Sequence, residues 1–202
     1  MKTTSSTELL DHLEARHAEN LRLLNRLREL PDDRLRQQPA AGGWNALQAI
    51  EHLNIWTTGY LDRIDEQLRS HGTRAKPTFR STRIGNFFVK MSKPGPETMK
   101  IRTLKAYDTR GRSLDGTVLE TFLRNHARLG DLLKRARLAD LTEIRITTFL
   151  TSLIKMRLGD TLRMLVYHDW RHLEQACRAA GVSLSMGRFE ASDAGSPGAS
   201  AA

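Results

Sequence analysis

The sequence predicts an all-α fold: a four-helix bundle with a long crossover between its second and third helices. Three observations carry that expectation. Four segments repeat apolar residues at the helical period. The composition favours helix, with only 3 Tyr, 3 Trp and 6 Pro set against abundant Leu, Arg, Glu and Ala. Residues 72–115 separate the second periodic segment from the third, a longer connection than a tight antiparallel turn needs.

The first helix is expected from about Glu8 to Leu30, with Leu10, Leu13, His17, Leu24 and Leu27 on one face. Ser5 followed by Glu8 reads as a capping box. Pro31-Asp32-Asp33 ends the helix, because proline cannot continue its hydrogen-bond ladder. Residues 34–43 read as a polar linker, punctuated by Pro39, Gly42 and Gly43. The second helix opens at Asn45, a favoured N-cap, and runs to about Ser70; Leu47, Ile50, Leu53, Leu61, Ile64 and Leu68 form its core stripe.

Between Ile84 and Met91 the pattern leaves helix and strand equally open. The third helix spans Thr117 to Arg137, capped by Thr117 with Glu120 three residues on, and its stripe is Val118, Phe122, His126, Leu129, Leu132 and Ala136. Residues 138–155 have room for a short helix. The fourth helix starts at Asp160 as N-cap and ends before Gly181, a good C-cap. Residues 1–190 are expected to form one domain, with 72–115 as a basic interhelical segment and 191–202 as a disordered Ala/Ser/Gly-rich tail. The long connection predicts that the second and third helices run parallel.

The net charge of +9 is not spread evenly. Residues 69–112 hold twelve Lys or Arg and two acids, Glu97 and Asp108, while the remainder has 20 basic and 21 acidic residues. The helical body is therefore close to neutral, and the excess sits in the non-periodic segment. Phe79, Phe87 and Phe88 interleave there with Arg80, Arg83 and Lys90, a pattern that fits either a stacking surface for nucleic acid or a cap on the bundle core. No nucleic-acid-binding motif accompanies it, so that partner is disfavoured. A single cysteine, Cys177, excludes an internal disulfide. With no apolar leader and no apolar run of membrane-spanning length, a soluble cytoplasmic protein is expected.

His168 and His172 stand at i, i+4, which puts both imidazoles on one helix face, a turn apart, so that two ring nitrogens can reach one ion. Seven histidines give such a pair by chance often enough that the spacing alone is a weak signal. Two features strengthen it. The pair borders an apolar stripe, where an unpartnered imidazole is costly to bury. A third histidine, His52, lies inside the second helix beside Ile55 and Trp56 and can complete a ligand set from a facing helix. His126, on the third stripe, reads as a core or pocket-lining residue, and Cys177 as buried and inert. Trp44 reads as a staple before the second helix and Glu51 as exposed. Asp169, Glu174 and Gln175 are candidates for orienting imidazoles from behind.

Gly43-Trp44-Asn45-Ala46-Leu47-Gln48-Ala49-Ile50-Glu51-His52-Leu53 resembles the start of the second helix in the DinB-like (damage-inducible) superfamily. His168-Asp169-Trp170-Arg171-His172-Leu173-Glu174-Gln175 is similar to that superfamily's last-helix motif, with Asn45 here in place of the usual Ser or Thr cap. The Lys93-Pro94-Gly95-Pro96 break and the helix after it also fit, and the resemblance covers most of residues 5–181. It implies a three-histidine site at one end of the bundle, holding zinc, nickel, iron or a similar divalent ion through His52, His168 and His172. Three protein ligands leave coordination positions open, the pattern of catalytic rather than structural zinc. The resulting expectation is a metal-dependent hydrolase or thiol S-transferase acting on a small molecule or small thiol. The alternatives are a non-catalytic, stress-related metal- or ligand-binding protein and, less favoured, nucleic-acid binding through 69–112. A homodimer through exposed helix faces is compatible with the pattern.

Overall fold

The computed structural model describes residues 3–71, 74–95, 103–149 and 153–184. The elements follow in the order β1 (Thr3–Ser5), α1 (Ser6–Arg28), α2 (Asp32–Arg36), α3 (Ala46–Ser70), β2 (Thr78–Arg80), α4 (Arg83–Ser92), α5 (Thr117–Ala136), β3 (Arg145–Thr147), β4 (Lys155–Arg157) and α6 (Leu158–Ala179). A 3-10 turn, Lys105–Tyr107, precedes α5. The expected tail at 191–202 lies outside the described residues.

The four long helices α1, α3, α5 and α6 form the predicted bundle. Both α1 and α3 pack on α5 and on α6, so α1 and α3 occupy opposite corners. Side-chain contacts set the directions. Asn54 Nδ2 donates to the Val118 carbonyl (3.0 Å), Asn125 Nδ2 to Thr58 Oγ1 (3.1 Å), and Arg135 pairs with Asp65 (2.5 Å). The two residue numbers rise together, so α3 and α5 are parallel, as the crossover predicts. Arg28–Glu120 and Arg137–Glu14 make α1 and α5 antiparallel. Two short antiparallel ladders lie together at one end of the bundle: Thr4 opposite Phe79 in β1–β2, and Ile146 opposite Met156 in β3–β4.

Helix ends follow local chemistry. Ser5 Oγ accepts the Glu8 N–H (3.3 Å), and Asn45 and Gln48 form a full reciprocal capping box at the start of α3. Gly181, at φ +69°, closes α6, with the Val182 N–H bonded to the Cys177 carbonyl (2.8 Å) in the six-to-one pattern that a left-handed residue permits.

Four expectations are corrected. Residues 32–36, read as a stop and a linker, form the short helix α2, because Pro31 fits just before a first turn as well as just after a last one. The cap of α5 is supplied by Asp115, whose carboxylate accepts from the N–H (2.9 Å) and hydroxyl (2.5 Å) of Thr117; Thr117 already lies in the first turn. Residues 138–155 hold the two strands β3 and β4 rather than a short helix. Finally, α6 starts at Leu158, and Asp160 is not its cap. The first N–H groups of α6 are taken by the carbonyls of Ile144 and Leu141 (2.9 and 3.1 Å). Asp160, fully buried, instead accepts from Ser81 Oγ (2.5 Å), the Thr82 N–H (3.1 Å) and Thr82 Oγ1 (3.1 Å), and pairs with Arg163 (3.2 Å). That junction pins α4 against α6. Gly85 makes it possible, since a Cβ there would strike the Asp160 carboxylate.

Candidate metal centre

The helices α3 and α6 run antiparallel, and that crossing brings His52 against the turn that carries His168 and His172. His52 Nε2 lies 3.4 Å from His168 Nε2, and one ring nitrogen from each of the three histidines falls within 4.8 Å of the others. The ring planes are steeply inclined to one another, at 59° for His52–His168, 62° for His52–His172 and 74° for His168–His172. Imidazole lone pairs lie in the ring plane, so three steep planes can share one point.

Two of the rings are oriented from behind. His52 Nδ1 is 2.9 Å from the Tyr107 carbonyl, which can only accept, so the ring proton sits on Nδ1 and the Nε2 lone pair is free. His172 Nδ1 is 2.8 Å from Gln175 Oε1, which fixes the same tautomer when the amide oxygen faces the ring. His168 Nδ1 is buried with no hydrogen-bond partner among the described residues. A lone pair on His52 Nε2 facing another imidazole nitrogen at 3.4 Å calls for a proton or a cation between them. The donor set therefore fits a divalent transition metal, which favours neutral imidazole nitrogen.

Burial holds His168 well below the ordinary imidazole pKa, helped by His172, His52 and Arg171. Burial does the same for His172, with the His52 and Arg171 charges adding and Gln175 opposing. His52 is lowered mainly by burial, against the opposing hydrogen bond to Tyr107. All three rings are thus biased towards the neutral, ligating form at neutral pH.

Residues that spacing could not find complete the surroundings. The Trp44 ring lies 4.7 Å from the His52 ring and 5.8 Å from that of His172, so this residue packs directly on two of the histidines rather than serving as a remote staple. Its Nε1 donates to Asp108 (3.3 Å), itself gripped by Arg110. Thr109 Oγ1 donates to the Gln48 carbonyl (2.8 Å), which ties the crossover to α3 and places Tyr107 behind His52. Of the three candidate orienting residues on α6, only Gln175 bonds an imidazole. Glu174 accepts from Trp170 Nε1 (2.7 Å) and Arg178, and Asp169 is buried with neither carboxylate oxygen partnered among the described residues. Burial pushes the Asp169 carboxyl well above the usual range, towards the neutral acid. Glu51, expected to be exposed, is half-buried and faces Arg112 (3.5 Å).

In front of the histidines opens a cavity of about 160 Å³. Its walls come from α3 (Trp56), α4 (Phe88, Met91, Ser92), the crossover (Thr103, Leu104, Tyr107) and α6 (Met164, Arg171). The basic segment thus folds over the site. Phe79 and Phe88 are buried in the core and only Phe87 of the three is exposed, so the interleaved phenylalanines form no common stacking surface. His126 donates through Nε2 to the His17 carbonyl (3.0 Å) and stacks on His17, apart from the triad. Cys177 is buried, and burial pushes its thiol up to about 11, away from the reactive thiolate.

A family model of the DinB superfamily matches residues 12–176. The chain belongs to the DinB superfamily. The match takes in α1 to α6 almost entirely, including every residue of the histidine triad. No curated protein and no solved structure matches this DinB-superfamily chain. Among its described residues, no helix is long and apolar enough to cross a membrane.

Proposed function

We propose that His52, His168 and His172 hold one divalent transition-metal ion and that the protein is a metal-dependent enzyme acting on a small molecule, as a hydrolase or a thiol S-transferase. The observation that carries this reading is the convergence of three ring nitrogens within 4.8 Å at the wall of a cavity, with His52 held from behind by the Tyr107 carbonyl. Membership of the DinB superfamily supports it. Three neutral nitrogens suit zinc, nickel or iron, and a bound ion of this kind supplies Lewis acidity at the cavity wall.

The chain's own residues prepare that position. Tyr107 and Gln175 restrict two rings, which lowers the entropy lost on ligation. Trp44, which is not part of the cavity lining, packs on His52 and His172 and limits water on that side, while Trp56 stands beside His168 in the cavity wall. The cavity leaves the other side open to a ligand.

A second reading, a non-catalytic metal- or ligand-binding protein, is favoured by one observation: among the described residues no Asp or Glu lines the cavity, so none of them offers a carboxylate general base there. Elemental analysis of the purified protein, beside His52→Ala and His168→Ala, tests the shared core of both readings. We expect about one equivalent of metal in the unaltered chain, lost in both variants. Metal content unchanged by either substitution would overturn the assignment. Turnover of thiol-conjugation or hydrolysis substrates that disappears on chelation then separates enzyme from binding protein.

A further inference from the structure

The cavity in front of the triad has one charged wall. Arg171 lies between two of the histidines in sequence and lines the cavity together with apolar surface from Trp56, Phe88 and Met164. Its Nη1 donates to the Met91 carbonyl (2.6 Å), and among the described residues no carboxylate pairs with it. Arg135 and Arg137 on the bundle surface instead meet acids, Asp65 (2.5 Å) for the first and Asp11 and Glu14 (2.6 and 2.7 Å) for the second, while Arg63 like Arg171 donates to backbone carbonyls but lies away from the cavity. The guanidinium of Arg171 is half-buried, its positive charge reaches all three imidazoles, and no acid among the described residues of the cavity wall compensates it.

A partly desolvated cation without a counter-charge leaves a free-energy deficit that a bound anion offsets. The guanidinium fork is planar and keeps further N–H donors after the bond to Met91, which matches the two oxygens of a carboxylate. Much of the remaining lining is aromatic or aliphatic, so it suits the hydrocarbon part of the same molecule. We infer that Arg171 anchors the carboxylate of a small organic acid whose apolar body packs on Trp56, Phe88 and Met164. The substrate class is then an apolar carboxylic acid, presented to the histidine site from the Arg171 side. The anchor rests on the proposed site for its catalytic meaning, but its binding role is measurable without turnover.

Calorimetric titration of benzoate and of its uncharged counterpart benzamide into the full chain, with and without added zinc, tests the anchor. Benzoate should bind at least about tenfold more tightly than benzamide, and Arg171→Gln should remove most of that difference while the protein still melts cooperatively. Equal binding of the two probes by the unaltered protein, or no binding of either, overturns the anchor, and this arm does not depend on any variant folding. A preference for benzoate that survives in Arg171→Gln, or one that exists only with zinc and vanishes in His168→Ala alone, also overturns it, since the carboxylate would then be held by the metal. Should the chain bind no zinc yet retain an Arg171-dependent preference for benzoate, the anchor stands and the metal assignment falls.

Discussion

His17 and His126 stack face to face between α1 and α5, their ring centroids 3.5 Å apart and their planes within 7°. His52, His168 and His172 meet between α3 and α6 with wider centroid separations of 4.6 to 5.2 Å and planes inclined by 59° to 74°. Both groups are buried or half-buried, and in both, loss of solvation pulls the imidazole pKa down. Depth and depressed basicity therefore do not separate a candidate metal centre from a structural histidine pair. Orientation does. Parallel rings keep their in-plane lone pairs in parallel sheets that cannot meet, and His126 uses its Nε2 proton on the His17 carbonyl. Steep planes let three lone pairs share a point.

The two histidine groups should differ most in their response at Gln175, whose oxygen is the acceptor behind His172. Gln175→Leu should weaken zinc binding by roughly 10- to 100-fold while leaving the fold intact, as measured by competition with a chromophoric chelator. An unchanged affinity would mean that the rear hydrogen bond does not set the ligand geometry. A smaller effect of a different kind is expected at the stacked pair. His126→Ala removes the bond to the His17 carbonyl and one face of the stack, and should cost about 1–3 kcal/mol of stability in denaturant unfolding. Zinc stoichiometry should not change; loss of metal in that variant would erase the distinction between the two groups.

The last effect concerns pH. Burial first, then the neighbouring His126 and Lys134, lower His17 to about 3 in the folded chain, from an ordinary value of 6.5. Below pH 6.5 the unfolded chain takes up a proton that the folded chain refuses, so stability falls as pH drops from 6.5 towards about 3, and this residue contributes no slope above 6.5. Melting temperatures across that window should fall less steeply in His17→Gln. Identical slopes in the two proteins would show that His17 is accessible to protons in the folded state.

Much of the fold was legible in the chain because helix formation depends on local spacing. The span of α3 from Asn45 to Ser70, the Gly181 terminator of α6 and the parallel course of α3 and α5 all follow from periodicity, caps and connection length. The misreadings have a common cause. Asp160 looks like an N-cap in one dimension, but β4 runs straight into α6 and backbone carbonyls already hold the first N–H groups, which frees that carboxylate for α4. Trp44 reads as a staple because its sequence neighbours are a helix start; besides His52 on that helix, its ring also meets His172 on a helix more than a hundred residues away.

For the site the division is similar. By itself the sequence determined that two imidazoles share one face of the last helix, since a four-residue interval leaves little choice, and that His52 is on a second helix able to face them. It also determined where the positive charge is concentrated. Only the tertiary structure decided that the Tyr107 carbonyl stands behind His52, that α4 and the crossover wall the cavity, and that Arg171 lies there without a carboxylate among the described residues. A main-chain carbonyl has no residue identity to read, and the pairing of a surface-type side chain depends on which distant segment folds over it. Those facts arise only when the long connection comes back across the bundle and the helices meet at fixed angles.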